Sequence, residues 1–151
     1  MIFILPVLIV LMDQFTKFQA IKYLKDQKPY VIIKDYFELH YVENYGAAFG
    51  ILQQMRVLFL IITSLVLLFI IFYLFKNHQN LTVLAKFSIM LLLGGAIGNF
   101  IDRARLGYVV DFLRVNVTKS YDFPVFNIAD MAIVVSTIFI VYVVLFDKYE
   151  A

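Results

Sequence analysis

Four long apolar segments limit what this chain can fold into. They cover residues 2–20, 57–75, 81–101 and 128–146, and each is close to the roughly 20 residues that cross a bilayer as a helix. The chain is 63% hydrophobic and 16% charged over 151 residues, and its mean hydropathy is +0.87. A soluble domain of this length exposes far more charge. The sequence therefore predicts a single integral membrane domain over residues 1–151.

The residue types present exclude several classes of function. The chain has no cysteine and two histidines, His40 and His78, that are far apart, so disulfides, thiolate sites and a zinc site are not expected. The net charge is +2 without a basic run, which argues against nucleic acid as a partner. Ser64, Ser88 and Ser136 lie inside apolar spans with no histidine placed to serve them, which disfavours a serine nucleophile.

The connections between the apolar segments differ in length and pattern. Residues 76–80 form a short polar turn, whereas residues 22–56 and 102–127 form long connections. Within the first long connection, residues 30–33 are apolar and residues 37–41 alternate apolar and polar side chains, which is typical of a half-buried strand. We therefore predict an all-α membrane protein whose four helices carry a small β-hairpin, or cradle, on one membrane face.

Most polar residues fall on one side of this arrangement. Four antiparallel spans bring the end of the first, the start of the second, the end of the third and the start of the fourth to one membrane face, together with both long connections. These places hold Asp13, Lys17, residues 44–49, Asn99, Asp102, Arg103, Asp111, Asn127 and Asp130. Ionisable groups at the edge of membrane segments are costly and mark functional sites by default. We expect a site at this face.

Several of these groups have a structural explanation that stands beside the functional one. Asp13 and Lys17 are spaced i,i+4 with the acid first, the favourable order for a helical ion pair. Residues 94–98 contain a GxxxG step, which usually means close helix packing. Asn99 and Arg103 lie one helical turn apart, so they either satisfy buried carbonyls and carboxylates or hold a substrate.

Asp111 and Asp130 are the strongest candidates for catalytic groups. The structural explanation is that one of them caps a helix and the other pairs with Arg103 or Arg105. Because no cysteine, suitably placed serine or HExxH motif is available, two aspartates remain as the best candidates for chemistry. Two carboxylates that share a low-dielectric site cannot easily both ionise, so their titrations separate.

Five segments in order resemble the successive motifs of the lipoprotein signal peptidase (signal peptidase II) family. They are Asp13-Gln14-Phe15-Thr16-Lys17, Asn44-Tyr45-Gly46-Ala47-Ala48-Phe49, the stretch from Gly94 to Arg103 (GGAIGNFIDR), Val110-Asp111-Phe112, and Phe126-Asn127-Ile128-Ala129-Asp130. Each motif alone is weak, but five in register along nearly the whole chain are highly specific.

The resemblance implies an aspartic endopeptidase with four transmembrane helices in the bacterial cytoplasmic membrane. Such an enzyme removes the signal peptide from diacylglyceryl-modified prolipoproteins, just before the lipidated cysteine, and is the target of globomycin. By the same resemblance, Asp111 and Asp130 match the catalytic pair. The positions that match residues shaping or supporting the site are Asp13, Lys17, Asn44, Gly46, Gly95, Asn99, Arg103 and Asn127. No metal or organic cofactor is expected, and the partners are lipidated precursors and membrane lipids, with the enzyme as a monomer.

Two alternatives stay open at this stage. The family places both long loops outside the cytoplasm and both termini inside, whereas Lys22, Lys25, Arg103 and Arg105 favour the opposite orientation by the positive-inside bias. We follow the family orientation, because long loops weaken that bias.

The rival function is an ion or proton carrier, or a membrane scaffold, in which intramembrane Asp and Arg residues form a relay. The uncharged stretch 57–75 does not fit a relay that crosses the bilayer.

Overall fold

Four helices of membrane-spanning length form the body of the protein. A computed structural model describes residues 4–46, 53–118 and 121–149. Its helices are α1 (Ile4–Leu24), α2 (Arg56–Asn77), α3 (Val83–Arg105) and α4 (Ile128–Leu145), and all four are long and apolar enough to cross a membrane. The predicted fold of four helices of membrane-spanning length is therefore confirmed. The helices α1 and α3 continue four residues past their predicted ends, because their polar last turns are helical as well.

The helix α3 lies at the centre of the bundle and packs against the three others. A Cβ atom built on Gly94 would lie 2.9 Å from the Cβ of Ile9 in α1, and one built on Gly95 would lie 2.5 Å from the carbonyl oxygen of Ala129 in α4. The expected close packing at the GxxxG step is confirmed, since no side chain fits at these positions without a shift. Small residues let α3 approach two neighbours on two sides.

The helix α2 packs more loosely than the others. Its buried residues are Ile70 and Leu74, which form an apolar cluster with Leu81, Ala85 and Met90. Most of its other large side chains are exposed, including Phe75 at 84%. In a membrane protein such a face contacts lipid, so α2 is held against α3 along one narrow stripe.

A small antiparallel sheet covers the polar end of the bundle. Its strands are β1 (Tyr30–Ile33), β2 (Phe37–Asn44), β3 (Val109–Thr118) and β4 (Tyr121–Asp122), in the spatial order β1-β2-β3-β4. The predicted hairpin is confirmed as β1 and β2, and β2 extends further to Asn44. The strand β3 was not predicted, because the connection 102–127 was interpreted as a loop.

The sheet is fixed to the helices by its own apolar side chains. Val110 and Phe112 of β3 are buried with Ala20 near the end of α1. Asp111 lies between them in the sequence, so its side chain points to the other face of the strand, and Val42 of β2 is its partner in the ladder. The fold thus directs Asp111 away from the apolar cluster and toward the helix ends.

Candidate active site

Asp111 is buried in the sheet and accepts two side-chain hydrogen bonds. It is 2% exposed. The Asn44 Nδ2 donates to its Oδ2 at 2.9 Å and the Asn127 Nδ2 donates to its Oδ1 at 2.7 Å. Each carboxylate oxygen therefore has one amide donor, which favours the ionised form against the cost of burial.

Asp130 is the third residue of α4 and is half-buried. Its Oδ1 accepts from the Asn99 Nδ2 at 2.7 Å and its Oδ2 accepts from the backbone N–H of Asn127 at 3.2 Å. The Asn127 Oδ1 in turn accepts from the backbone N–H of Asp130 at 2.9 Å, which completes a capping box. The expected capping role is therefore present for Asp130. Among the described residues, neither Asp111 nor Asp130 forms an ion pair with an arginine.

Asn127 is the group that joins the two acids. Its Nδ2 donates to Asp111, while its backbone N–H and its Oδ1 both bond to Asp130. The same Nδ2 also lies 3.2 Å from the Oδ1 of Asn99. Asn127 is completely buried. One fully enclosed side chain therefore sets the position of both carboxylates.

The proton affinity of Asp111 is unusual for an aspartate. Burial and the nearby negative charge of Asp130 raise its pKa from 3.8 to about 7, although the hydrogen bonds from Asn44 and Asn127 and the charge of Lys17 act in the opposite direction. A pKa near 7 means that the protonated and ionised forms of Asp111 are both available at neutral pH. A perturbed carboxyl in a cleft is a functional-site candidate.

A buried ionic cluster lies next to the acids, on the side away from the cavity. The Lys17 Nζ is 2.9 Å from the Oδ2 of Asp13, 2.9 Å from the Oδ2 of Asp102 and 2.9 Å from the Oδ1 of Asn99. Lys17, Asp13 and Asp102 are each at most 3% exposed. The predicted ion pair between Asp13 and Lys17 is confirmed. Asp13 also accepts from the backbone N–H of Ala129 at 2.9 Å, which ties α1 to the start of α4.

Two members of this cluster had no role predicted from the sequence, although Asp102 lies at the polar face where a site was expected. Asp102 accepts from the backbone N–H of Val110 at 3.0 Å, and the Gln14 Nε2 donates to its other oxygen at 2.9 Å. Asp102 thereby fixes the start of β3, one residue before Asp111. Its position at the end of an apolar helix is the same signal that marks Asp130 and could have predicted a role in the site, whereas nothing in the sequence predicts a role for Gln14.

Arg103 and Gly46 meet at the edge of the site. The Arg103 Nη2 donates to the carbonyl of Gly46 at 3.1 Å, and its guanidinium carbon lies 4.7 Å from the ring centroid of Phe59. The backbone N–H of Gly46 donates to the Oδ1 of Asn44 at 3.0 Å, so the Asn44 Nδ2 is left for Asp111. The rest of that motif, residues 47–49, lies outside the described residues.

Gly95 acts at the helix interface and not in the site itself. A Cβ atom at this position would meet the carbonyl oxygen of Ala129 at 2.5 Å and a side-chain carbon of Ile133 at 2.8 Å. Any side chain would therefore push α4 away from α3. Since Asn99 of α3 donates to Asp130 of α4, the small size of Gly95 is what lets these two side chains meet.

The acids face a cavity of about 850 Å³. Asn44, Asn99, Arg103, Asp111 and Asp130 all contribute to its wall, whereas Asp13, Lys17, Gly46, Gly95 and Asn127 lie outside the wall. The rest of the lining is largely apolar and includes Phe123, Val125, Phe126, Met131, Val134 and Val135. Val134 is 57% exposed, so the cavity opens onto the exposed side of α4.

The groups that face this cavity offer acid–base chemistry. Asp111 and Asp130 can exchange a proton with a bound water, and the pKa of Asp111 near 7 suits such a role at neutral pH. Arg103 can donate to a substrate carbonyl. In the described ranges, no three His, Asp or Glu side chains are grouped as metal ligands would be.

Comparison with known proteins gives one consistent result. A family model described as signal peptidase (SPase) II matches residues 5–146. The chain is 43% identical to a lipoprotein signal peptidase of Clostridium tetani, covering 97% of this chain and 94% of the relative. It is 45% identical to one of Caldanaerobacter subterraneus subsp. tengcongensis, covering 97% of each. A bacterial membrane enzyme solved by the in meso method is 36% identical and similar in fold, with a TM-score of 0.84 over 95% of this chain and 87% of that one.

Proposed function

The chain belongs to the signal peptidase II family, and on this basis we propose that it is an aspartic endopeptidase with Asp111 and Asp130 as its catalytic pair. Membership makes the chain a membrane protease that removes signal peptides from prolipoproteins. The further proposal concerns the type of chemistry and the cut, which falls just before a cysteine that carries a diacylglyceryl thioether. The observation that carries it is the joint hydrogen bonding of both carboxylates by Asn127 at the wall of one cavity.

In the proposed reaction the two acids share one proton. The ionised acid takes a proton from a bound water as its oxygen attacks the scissile carbonyl, and the protonated acid donates its proton to the carbonyl oxygen. When the tetrahedral intermediate collapses, the C–N bond breaks, one hydroxyl proton returns to an acid and the other acid protonates the leaving amine. General acid–base help of this kind contributes about 10²–10⁴ in rate, so positioning and electrostatics supply the rest.

The remaining residues of the site have positioning roles in this proposal. A carboxylate of the pair accepts a hydrogen bond from each of Asn44, Asn99 and Asn127. The Lys17 Nζ donates to the Oδ1 of Asn99 and so fixes the orientation of that amide. Arg103 lies in the cavity wall with its guanidinium held by Gly46 and Phe59. We assign it to the substrate carbonyls near the cut, since a guanidinium in direct contact with the acids would oppose proton sharing.

The shape of the cavity suits a lipid-modified substrate. Its apolar wall along α4 is continuous with the membrane-facing side of the helix, where Met131 and Val134 are exposed. Acyl chains can stay in the bilayer while the peptide bond beside them reaches the acids at the helix ends. The end of β2, at Val42 to Asn44, closes the cavity from the sheet side, as a cradle over the bound peptide would. Globomycin-type inhibitors would occupy the same cavity.

The proposed setting is the bacterial cytoplasmic membrane, with the sheet and the acids at the outer face and both termini in the cytoplasm. This follows the family orientation, although the lysines near the sheet favour the reverse by charge bias. The rival function of an ion carrier is not favoured, because the described ionisable groups of the site gather at one end of the bundle. A flux of ions through liposomes without peptidase activity would support that rival.

The central test is cleavage of a diacylglyceryl-modified precursor by purified variants. We expect Asp111→Asn and Asp130→Asn each to abolish cleavage, because an amide can neither accept the water proton nor share one. Both substitutions keep the shape of the side chain, so a thermal unfolding curve checks that the fold is intact. A folded variant with normal turnover would refute the acid pair, and Glu38→Gln, outside the cavity lining, serves as the acidic control on β2.

A further inference from the structure

A second polar cluster lies beside the site, at the junction of three chain segments. The carboxylate of Glu43 accepts from the Lys25 Nζ at 3.0 Å and the Tyr41 hydroxyl at 3.1 Å on one oxygen, and from the Tyr45 hydroxyl at 2.8 Å on the other. The Tyr108 hydroxyl lies 3.3 Å from that of Tyr41. We call these five residues the Glu43 cluster.

The Glu43 cluster joins parts of the chain that are distant in sequence. Lys25 directly follows α1, Glu43 lies near the end of β2, and Tyr108 directly precedes β3. The hydrogen bonds from Lys25 and Tyr45 lower the pKa of Glu43 to about 2, despite some opposing effect of burial. Glu43 therefore stays ionised over any pH at which the enzyme is assayed, so the charge that Lys25 and the two tyrosines bind does not change within that range.

The position of Glu43 gives this connection a functional meaning. The next residue, Asn44, is the last of β2 and donates to Asp111. Beyond Asn44 the chain leaves the ladder, so the strand no longer fixes its course, and Gly46 is held by Arg103. Asn44 is thus held in the ladder opposite Val109, and the Glu43 carboxylate adds a side-chain anchor to the end of α1 directly before it.

We propose that Glu43 is a positioning residue for the acid pair: its carboxylate anchors the end of β2 to the end of α1 and so holds the Asn44 amide against Asp111. This inference rests on the proposed function, because it assigns Glu43 a role in peptidase chemistry. Glu43 is part of the cavity wall, but it does not act on the substrate itself in this scheme, since both of its oxygens are already occupied by side-chain donors.

The pH profile of cleavage separates positioning from simple charge effects. The ionisable groups that face Asp111 are Asp130 from α4, Lys17 from α1 and Arg103 from α3, and none of them changes in a Glu43 variant. The rate of cleavage falls at alkaline pH when the protonated acid loses its proton. Loss of the Asn44 hydrogen bond raises the pKa of Asp111, so this alkaline limb of the pH profile moves to higher pH. Removal of the Glu43 negative charge, acting through space alone, moves that limb to lower pH.

The experiment compares Glu43→Gln with Glu38→Gln in the full-length enzyme. Glu38 lies on the same strand and forms a 2.9 Å ion pair with Arg114, so its variant loses an equivalent contact far from Asn44. We expect Glu43→Gln to shift the alkaline limb of the kcat/KM profile upward by about half a pH unit, because a pKa shift of this size corresponds to the weakening of one hydrogen bond. Glu38→Gln should leave the limb in place.

Three outcomes would overturn the inference: an unshifted limb, a downward shift, or lower activity with the same profile in both variants. If Glu43→Gln does not fold, the double variant Tyr41→Phe with Tyr45→Phe takes its place, because it removes two donors to Glu43 without changing charge. It should show the same upward shift of the alkaline limb, and an unshifted limb would overturn the inference. Asp111→Asn in the same assay keeps the two proposals apart. If that variant is active the acid pair fails, whereas an inactive Asp111→Asn with an unshifted Glu43→Gln refutes only the role of Glu43.

Discussion

Three asparagine side chains control the acids because each has one possible amide orientation. In every case the Oδ1 accepts from a group that can only donate: the backbone N–H of Gly46 for Asn44, the Lys17 Nζ for Asn99, and the backbone N–H of Asp130 for Asn127. The Nδ2 of each therefore points to a carboxylate. Because the amide dipoles of the three asparagines are already oriented before substrate binds, little reorganisation free energy is needed during the proposed reaction.

Asn127→Ala should separate capping from catalysis. The variant loses the cap of α4 and the donor to Asp111, so we expect stability to fall by about 1 kcal/mol and cleavage to fall on the order of 10²-fold. Thr82→Ala is the matched control, since Thr82 caps α3 at the opposite end of the bundle. It should lose similar stability and retain activity. Equal activity in the two folded variants would contradict the role given to Asn127.

The raised pKa of Asp111 predicts a pH-dependent penalty on stability. The folded state holds the proton up to about pH 7, whereas the unfolded chain releases it near 3.8. Between these values the folded state binds more protons, so stability falls as pH rises and the penalty is complete above the folded pKa. Asp111→Asn cannot titrate. Its Tm in detergent, relative to that of the original protein, should therefore rise through this window; a constant difference would contradict the raised pKa.

At the residue scale, the ionisable groups at unusual places in the sequence were predictable, whereas the residues that matter through their contacts were not. Asp111 and Asp130 are visible because a charge beside an apolar run is costly. Glu43 is one charge in a polar segment, and its importance depends on Lys25 and Tyr45 reaching the same carboxylate. No spacing in the sequence predicts that convergence, because it depends on how the sheet packs on α1.

At the element scale, the interface between α3 and α4 depends on the absence of a side chain at Gly95. We expect Gly95→Ala to reduce both stability and cleavage, because its Cβ would lie 2.5 Å from a backbone oxygen of α4 that cannot rotate away. Overpacking of this kind typically costs about 1–3 kcal/mol. Val83→Ile, which adds one carbon at a residue of α3 that is 72% exposed, is the control. Wild-type thermal stability and activity in Gly95→Ala would contradict the close approach.

The elements themselves were predictable to different degrees. Helices α1 to α4 follow from apolar length, and the hairpin of β1 and β2 is local, so both could be predicted. The strand β3 pairs with β2 across a long stretch of sequence: Asp111 lies opposite Val42 in the ladder, and its side chain accepts from Asn44, which is 67 residues earlier. Its sequence carries apolar residues on both sides of Asp111 and does not alternate regularly. Such a strand is defined by its distant partner, which a local pattern does not reveal.

At the scale of the whole molecule, the one-sided distribution of polar groups makes orientation a measurable property. The chain has no cysteine, so single-cysteine variants are unambiguous. We expect a membrane-impermeant maleimide to label Lys28→Cys, beside the sheet, in intact cells. Gln79→Cys, in the turn between α2 and α3, should be labelled only after the membrane is opened. The reverse pattern would place the acids at the cytoplasmic face.

The buried contact between Asp13 and the start of α4 spans 116 residues of sequence, and this has a consequence for biosynthesis. One acid lies on the last helix, and its supports come from the first and third helices. A chain that is still emerging from the ribosome, or one that has inserted only three helices, holds no complete acid pair. In the proposed mechanism, peptidase activity therefore requires that all four helices have been inserted and packed.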